Sequence, residues 1–379
     1  MKVGFAARWS PEDKRSWSGI SYYTWQQIKN YNETEVYHFR WPWRLREWLT
    51  AQKSFNKRLF KKHTAVEFLR AYARYFSKQL ENELKTRPVD VLFIPASSQL
   101  LAYLNTSIPV IYMTDATFSQ LQGYYTDFSN LASYNIRQGI ELDKRAFQKA
   151  AHCMLASDWC RHSAIHDYGI PENRISVLPM GANMDAIPAT ADINTAASGQ
   201  CRLLFLGVEW ERKGGDLAIA AFRQLQEKGM QPTLHIVGCV PPHDLSQEKN
   251  ITVIPFLDKN KPEQAAELDR LFRQTDFLLL PTRAECAGVV FSEAAAYGIP
   301  SITTATGGVP TCVKDNVNGY ALLPEAGAAA YAGIIEQLYR DPERLSQLKR
   351  SSRAFFEEQL NWDNWGRHFQ AIAKSLTSR

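Results

Sequence analysis

No two cysteines stand in a C-x-x-C pair: the six, Cys153, Cys160, Cys201, Cys239, Cys286 and Cys312, are scattered along the chain. That spacing argues against a structural zinc site and for reduced thiols rather than a disulfide framework. His162 and His166 lie four apart on a predicted helix, a zinc-like spacing, yet no third ligand accompanies them, and surface histidines are the simpler reading. No apolar run approaches the roughly 18 residues of a membrane span, and the start, MKVGFAARWS, runs into charge, so the expected location is the cytoplasm. Low-complexity tracts and short repeats are also missing. With 45% aliphatic and aromatic residues and 22% charged ones, the sequence reads as globular throughout its 379 residues. That length suits two domains of roughly 180 residues each.

What is present is a regular alternation of short apolar runs and helical stretches, the mark of doubly wound α/β domains. KVGFAA, VDVLFIPA, IPVIYMTD, HCMLAS and RISVLPMGAN read as strands of a first domain over residues 1–187. Periodicity and bulk fade in AIPATADINTAASGQ, which predicts a linker over 188–200. RLLFLG, TLHIVG, ITVIPF, DFLLLP and IPSITTA then read as strands of a second domain over 201–360, and 361–379 as a terminal amphipathic helix.

The run Pro281–Gly298, PTRAECAGVVFSEAAAYG, follows the strand DFLLLP and leads into a helix that a glycine stops. Glu285 falls in the turn and Glu293 inside the helix. The first helical N–H groups, from Ala287 through Gly288 and Val289 to Val290, lack intrahelical partners and sit at the positive dipole end, which suits a diphosphate. Glutamates on a surface helix commonly face only water. Against that reading stands a second glycine-rich turn, Thr306-Gly307-Gly308-Val309-Pro310, at the same strand-end face where ligands of such sheets bind.

From Glu285 to Pro310 the chain resembles the retaining glycosyltransferases of family 4, the glycosyl transferases group 1, in its paired glutamates, alanine-rich helix, G-x-P, strand and Gly-Gly turn. The resemblance implies a GT-B fold, with two Rossmann-like doubly wound parallel-sheet domains facing across a cleft and the final helix returning to the first domain. It implies that Glu285 approaches the donor sugar, that Glu293 holds the ribose hydroxyls of the nucleotide, and that the amides between them bind phosphate. Trp17, Ser18 and Gly19 sit where such enzymes place a loop beside donor phosphate and acceptor. UDP- and GDP-linked sugars are the donors it favours. A glycan or lipid-linked molecule is the acceptor class.

Glu211-Arg212-Lys213-Gly214-Gly215 sets two cations before a helix, and fixed cations favour a leaving diphosphate as its charge grows. An ordinary basic first turn is the alternative. Relatives show Gly-Arg at the strand end, where this chain has Gly207-Val208, so Lys213 is the firmer assignment and Arg212 the second; many also carry a glutamate where Thr311 stands. Asp115, directly after a strand, reads either as a sugar-hydroxyl ligand or as the cap of the next helix. Ser157 reads as a helix cap, Asn183 as structural, and Cys286 as an idle thiol. No Asp-x-Asp pair occurs, so the expected transfer needs no metal cofactor, basic side chains and helix dipoles taking the ion's place.

The net charge of +5 is uneven. Between residues 40 and 85 the basic residues, among them Arg44, Arg46, Lys53, Lys57, Arg58, Arg70 and Lys78, face only Glu47, Glu67, Glu81 and Glu83, with Trp41, Trp43 and Trp48 interleaved. A solvated helix face is one reading and an anionic membrane surface the other; no nucleic-acid signature accompanies the charge. Two other functions fit the same architecture: a non-hydrolysing nucleotide-sugar epimerase and a non-catalytic nucleotide-sugar-binding partner.

Overall fold

Each of the ten apolar runs read as a strand becomes one in the computed structural model, and every strand pairing is parallel. The structure describes all residues except Asn194, Thr195, Ala197, Ser198, Ser246 and Arg379, together with the side chains of Arg44, Leu45, Phe55, Asn56, Lys57 and Phe60. Four positions of the expected 188–200 linker therefore lie outside the described residues. The chain divides into two units, Met1–Leu178 with Trp365–Arg379, and Pro179–Asn364.

The first unit holds a six-stranded sheet of β1 (Lys2–Ala6), β2 (Glu33–Tyr37), β3 (Val91–Pro95), β4 (Val110–Thr114), β5 (His152–Leu155) and β6 (Ile175–Val177), ordered β2-β1-β3-β4-β5-β6. β3 and β4 are buried at every position, as expected where helices cover both faces of a parallel sheet. In the final helix, Trp362–Thr377, Trp365 stacks on Phe369 at 5.5 Å, and both rings meet Phe93 of β3 edge-on.

The second unit holds β7 (Cys201–Leu206), β8 (Pro232–Val237), β9 (Ile251–Ile254), β10 (Phe277–Leu280), β11 (Ser301–Thr304) and β12 (Gly319–Leu322), ordered β12-β11-β10-β7-β8-β9. Counted along the chain this is the 3-2-1-4-5-6 order of a dinucleotide-binding sheet. Leu203, Phe205, Phe222, Leu278 and Phe291 fill its core.

The division between units falls at 178/179, not after residue 187. The segment from Pro179 belongs to the second unit because its small residues let it pack there. A Cβ on Gly181 would lie 2.4 Å from the Trp362 backbone nitrogen, Ser292 Oγ donates to the Met180 carbonyl at 2.7 Å, and Trp362 Nε1 donates to Asn183 Oδ1 at 3.0 Å. Asn183 is accordingly a structural residue.

Candidate functional site

In the second sheet the chain leaves β7 toward β8 on one side and leaves β10 toward β11 on the other. The loops after β7 and β10 diverge at this reversal, and the crevice between them is where open α/β sheets bind ligands. The two motifs singled out by sequence occupy these two loops.

After β7, Glu209 precedes a single helical turn, Trp210–Lys213, which Gly214 separates from the helix Gly215–Glu227. The two cations thus end a turn of their own before the longer helix, and the break at Gly214 has a steric reason. Gly214 has φ +76°, and a Cβ there would come within 1.9 Å of the Pro281 carbonyl oxygen, so the β7 and β10 loops approach backbone to backbone. The tie is completed by the Arg283 amide, which donates to the Arg212 carbonyl at 2.7 Å. Lys213 then runs back over Gly207, whose added Cβ would meet Lys213 Cγ at 2.8 Å.

This arrangement brings Lys213, Arg212 and Glu285 together. Lys213 Nζ pairs with Glu285 Oε2, and Arg212 Nη1 lies 3.6 Å from the same oxygen while donating to the Ala284 carbonyl at 2.9 Å. Glu209 anchors the other arm of the Arg212 guanidinium at 2.9 Å, and that hydrogen bond holds its own carboxyl below the usual range. The Glu285 carbonyl accepts the Gly308 amide at 3.0 Å, which fastens the Gly-Gly turn to the same loop. Gly288, at φ +68°, caps the helix Val289–Ala296, and Ala287 precedes it. Val289 and Val290 are half-buried at its first turn. The Ala287 carbonyl accepts Cys312 Sγ at 3.0 Å; burial, and after it the Glu285 charge, push that thiol up to about 12, so it stays a neutral donor. Thr311 lies in the short helix Val309–Cys312 and is nearly covered.

Glu293, four residues into that helix, is buried, and its Oε1 pairs with Lys259 Nζ, which also donates to the Asn183 carbonyl at 3.2 Å. Lys259 escaped the sequence reading. It lies in the loop after β9, 34 positions before Glu293, and nothing but its charge marked it.

In the first unit Trp17, Ser18 and Gly19 take φ of +48°, +55° and +91° in succession before the helix Ile20–Tyr31. Two of these are not glycine, so the turn holds backbone strain, a feature enriched at ligand sites. Asp115 directly follows β4 and is half-buried. It is not a helix cap: Thr117 caps Phe118–Leu121 in a capping box with Gln120, because the helix starts two residues later than that reading requires. Ser157 does cap its helix, accepting the Cys160 amide at 3.2 Å. The rings of His162 and His166 lie tilted to each other on the surface with centroids 4.1 Å apart, and among the described residues no three His, Cys, Asp or Glu side chains cluster as metal ligands. All six cysteines are buried thiols. Among the described residues no helix is long and apolar enough to cross a membrane.

Residues 188–355 match the family model of glycosyl transferases group 1. The D-inositol 3-phosphate glycosyltransferase of Xylanimonas cellulosilytica is 28% identical over 216 residues, 52% of this chain and 50% of that protein. The chain thus spans about half the length of the curated relatives it matches. Among solved structures, sucrose-phosphate synthase from Thermosynechococcus elongatus aligns at a TM-score of 0.68 and 15% identity, over 100% of this chain and 99% of its own. Anabaena HepE in complex with UDP and glucose aligns at 0.64 and 15% identity over 100% of both chains. At such identities the likeness is one of fold, and the two α/β units are of the GT-B type.

Proposed function

We propose that the protein is a retaining glycosyltransferase of family 4 that moves a sugar, without a divalent cation, from a UDP- or GDP-linked donor to a glycan or lipid-linked acceptor, in cell-surface polysaccharide or glycoconjugate synthesis. The observation that carries this reading is the meeting of Lys213, Arg212 and Glu285 in the β7/β10 crevice of a group 1 domain. The donor diphosphate lies against Lys213 and the first amides of the helix Val289–Ala296, displacing Glu285 as the partner of the ammonium. Glu285, freed, accepts a hydroxyl of the donor sugar and fixes its orientation. Glu293 keeps one oxygen on Lys259 and offers the other to the ribose hydroxyls.

In the transfer the bond from the anomeric carbon to the phosphate oxygen breaks, and the bond to the acceptor oxygen forms on the same face. The acceptor proton passes to the departing phosphate oxygen, so the products are a glycoside and a nucleoside diphosphate. Lys213 and Arg212 stabilise the charge that grows on the leaving group. Asp115 and the Trp17–Gly19 turn are assigned to the acceptor-binding unit, which works at the cytoplasmic face of the membrane.

Released nucleoside diphosphate measures this activity. Glu285→Gln is expected to lower turnover at least about tenfold with nucleotide affinity retained; near-normal turnover removes the assigned role. Activity is expected to survive chelator, and a loss restored by manganese would refute metal independence. Donor incubated alone should give no epimer, which separates the transferase from an epimerase. UDP, GDP, ADP and TDP compared by thermal shift identify the base, since a ligand at 100 times its dissociation constant stabilises by about 2.7 kcal/mol.

A further inference from the structure

We propose that the helix Trp43–Phe60 is a docking element for an anionic phospholipid bilayer, lying in the plane of the headgroups, which goes beyond the transfer reaction and does not depend on it. The helix and the following Lys61 and Lys62 carry seven basic residues and one carboxylate, Glu47. Both ends are moored to the first unit. Upstream, Trp41 packs edge-on against Tyr72 at 5.2 Å. Downstream, Lys61 turns at φ +50°, its carbonyl accepts Asn130 Nδ2 at 2.8 Å, and Lys62 Nζ donates to Asn130 Oδ1 at 2.7 Å.

Between these moorings the described side chains of the helix bury little. Of its described side chains only Leu49 is fully covered, and Gln52 Nε2 donates to Tyr134 Oη at 3.2 Å nearby. A helix of this length draws most of its stability from burying an apolar face, and here the described side chains opposite Leu49 have no such cover. At 3.6 residues per turn Arg58, nine positions on, lies opposite Leu49. Trp43 flanks it on one side; Trp48 and Leu59, eleven apart and so nearly aligned along the helix, flank it on the other. Trp43, Trp48 and Leu59 are 64%, 54% and 61% exposed.

The neighbouring basic residues show the contrast. Arg70 pairs with Glu141 and Lys78 with Glu81, whereas among the described residues no carboxylate pairs with Arg46, Lys53, Arg58 or Lys61. The candidate surface of residues 40–85 therefore narrows to 43–62. Unneutralised cations select an anionic partner. Outward tryptophan and leucine select one that apolar side chains can enter, and a bilayer bearing anionic headgroups offers both. A nucleic acid offers charge and bases to stack on tryptophan, but no apolar interior for Leu59 to enter.

The test is cosedimentation of the full chain with vesicles of phosphatidylcholine alone or mixed with phosphatidylglycerol, without donor. Binding is expected only to the mixed vesicles and should weaken in high salt. Lys53→Glu with Arg58→Glu should reduce it at least roughly tenfold, and Trp43→Ala with Trp48→Ala several-fold, with circular dichroism and the nucleoside-diphosphate thermal shift unchanged. No binding, equal binding to both vesicle types, or undiminished binding by both variants overturns the proposal. So does a tryptophan variant that binds mixed vesicles as the parent does while heparin competes fully, since that result marks a general polyanion site. The thermal shift reads the nucleotide site separately, so a chain that keeps the shift but ignores vesicles loses this inference and not the glycosyltransferase reading.

Discussion

Lys213 and Glu285 are each only 8% exposed, and a buried lysine and carboxylate are tolerable there because each neutralises the other. Removing one leaves the other stranded, so the two substitutions are not equivalent probes of catalysis. Lys213→Ala is expected to lower turnover by about 10²- to 10³-fold, the usual effect of losing one charge-assisted contact to a developing anion. The same reasoning applies at Asp276, fully buried between Arg202 and Lys349. Burial opposes its ionisation, but the hydrogen bonds from Arg202 and the charge of Lys349 outweigh burial and hold the carboxyl below its usual range. Because the folded value is depressed, the stabilisation is complete above the unfolded value, about 3.9, and is lost as pH falls through the folded one. Asp276→Asn, which leaves Lys349 buried without its counter-charge, is expected to cost about 3–5 kcal/mol at neutral pH. Urea denaturation should show the gap between the two proteins closing only in strong acid; a gap that stays constant with pH would contradict the assignment.

Gly214 and Gly229 test how the elements are joined. Both have nearly the same left-handed backbone, φ +76° and +79°, but a Cβ at Gly214 meets the Pro281 carbonyl and one at Gly229 meets nothing within 4 Å. Gly229→Ala should cost about 1–2 kcal/mol, the conformational term alone. Gly214→Ala should cost more and also lower activity, since the β7 and β10 loops must part; equal denaturation midpoints would contradict the close approach. The same elements show what a single sequence reveals. Strands buried on both faces, such as Val91–Pro95 and Phe277–Leu280, announce themselves as apolar runs bounded by proline or polar residues. β2 and β12, with sequences ETEVY and GYAL, were not legible because they lack such a run; the other two edge strands, β6 and β9, are half-exposed as well but carry one in ISV and ITVI. The pairing of Lys213 with Glu285 was foreshadowed by two glycine-flanked motifs at strand ends. That of Lys259 with Glu293 was not, since only the folded sheet brings the β9 loop beside that helix.

On the scale of the whole molecule, the chain passes between its two units twice, at 178/179 and 364/365, and each unit closes its own core. The final helix is a structural part of the first unit through Trp365 and Phe369 on Phe93. Trp365→Ala is therefore expected to cost about 3–5 kcal/mol and to raise hydrogen exchange in β3 while amides of β7 and β10 keep their protection. Exchange rising equally in both sheets would show that the units do not unfold separately. The position of the nucleotide site at the strand-order reversal of the second sheet is the claim on which the functional account rests. Calorimetric titration tests it most directly, with the nucleoside diphosphate that gives the largest thermal shift and its unphosphorylated nucleoside added to the parent chain and to Lys213→Ala. The account predicts diphosphate affinity weakened at least about tenfold by the substitution, with nucleoside affinity unchanged; equal diphosphate affinity in the two proteins would contradict it.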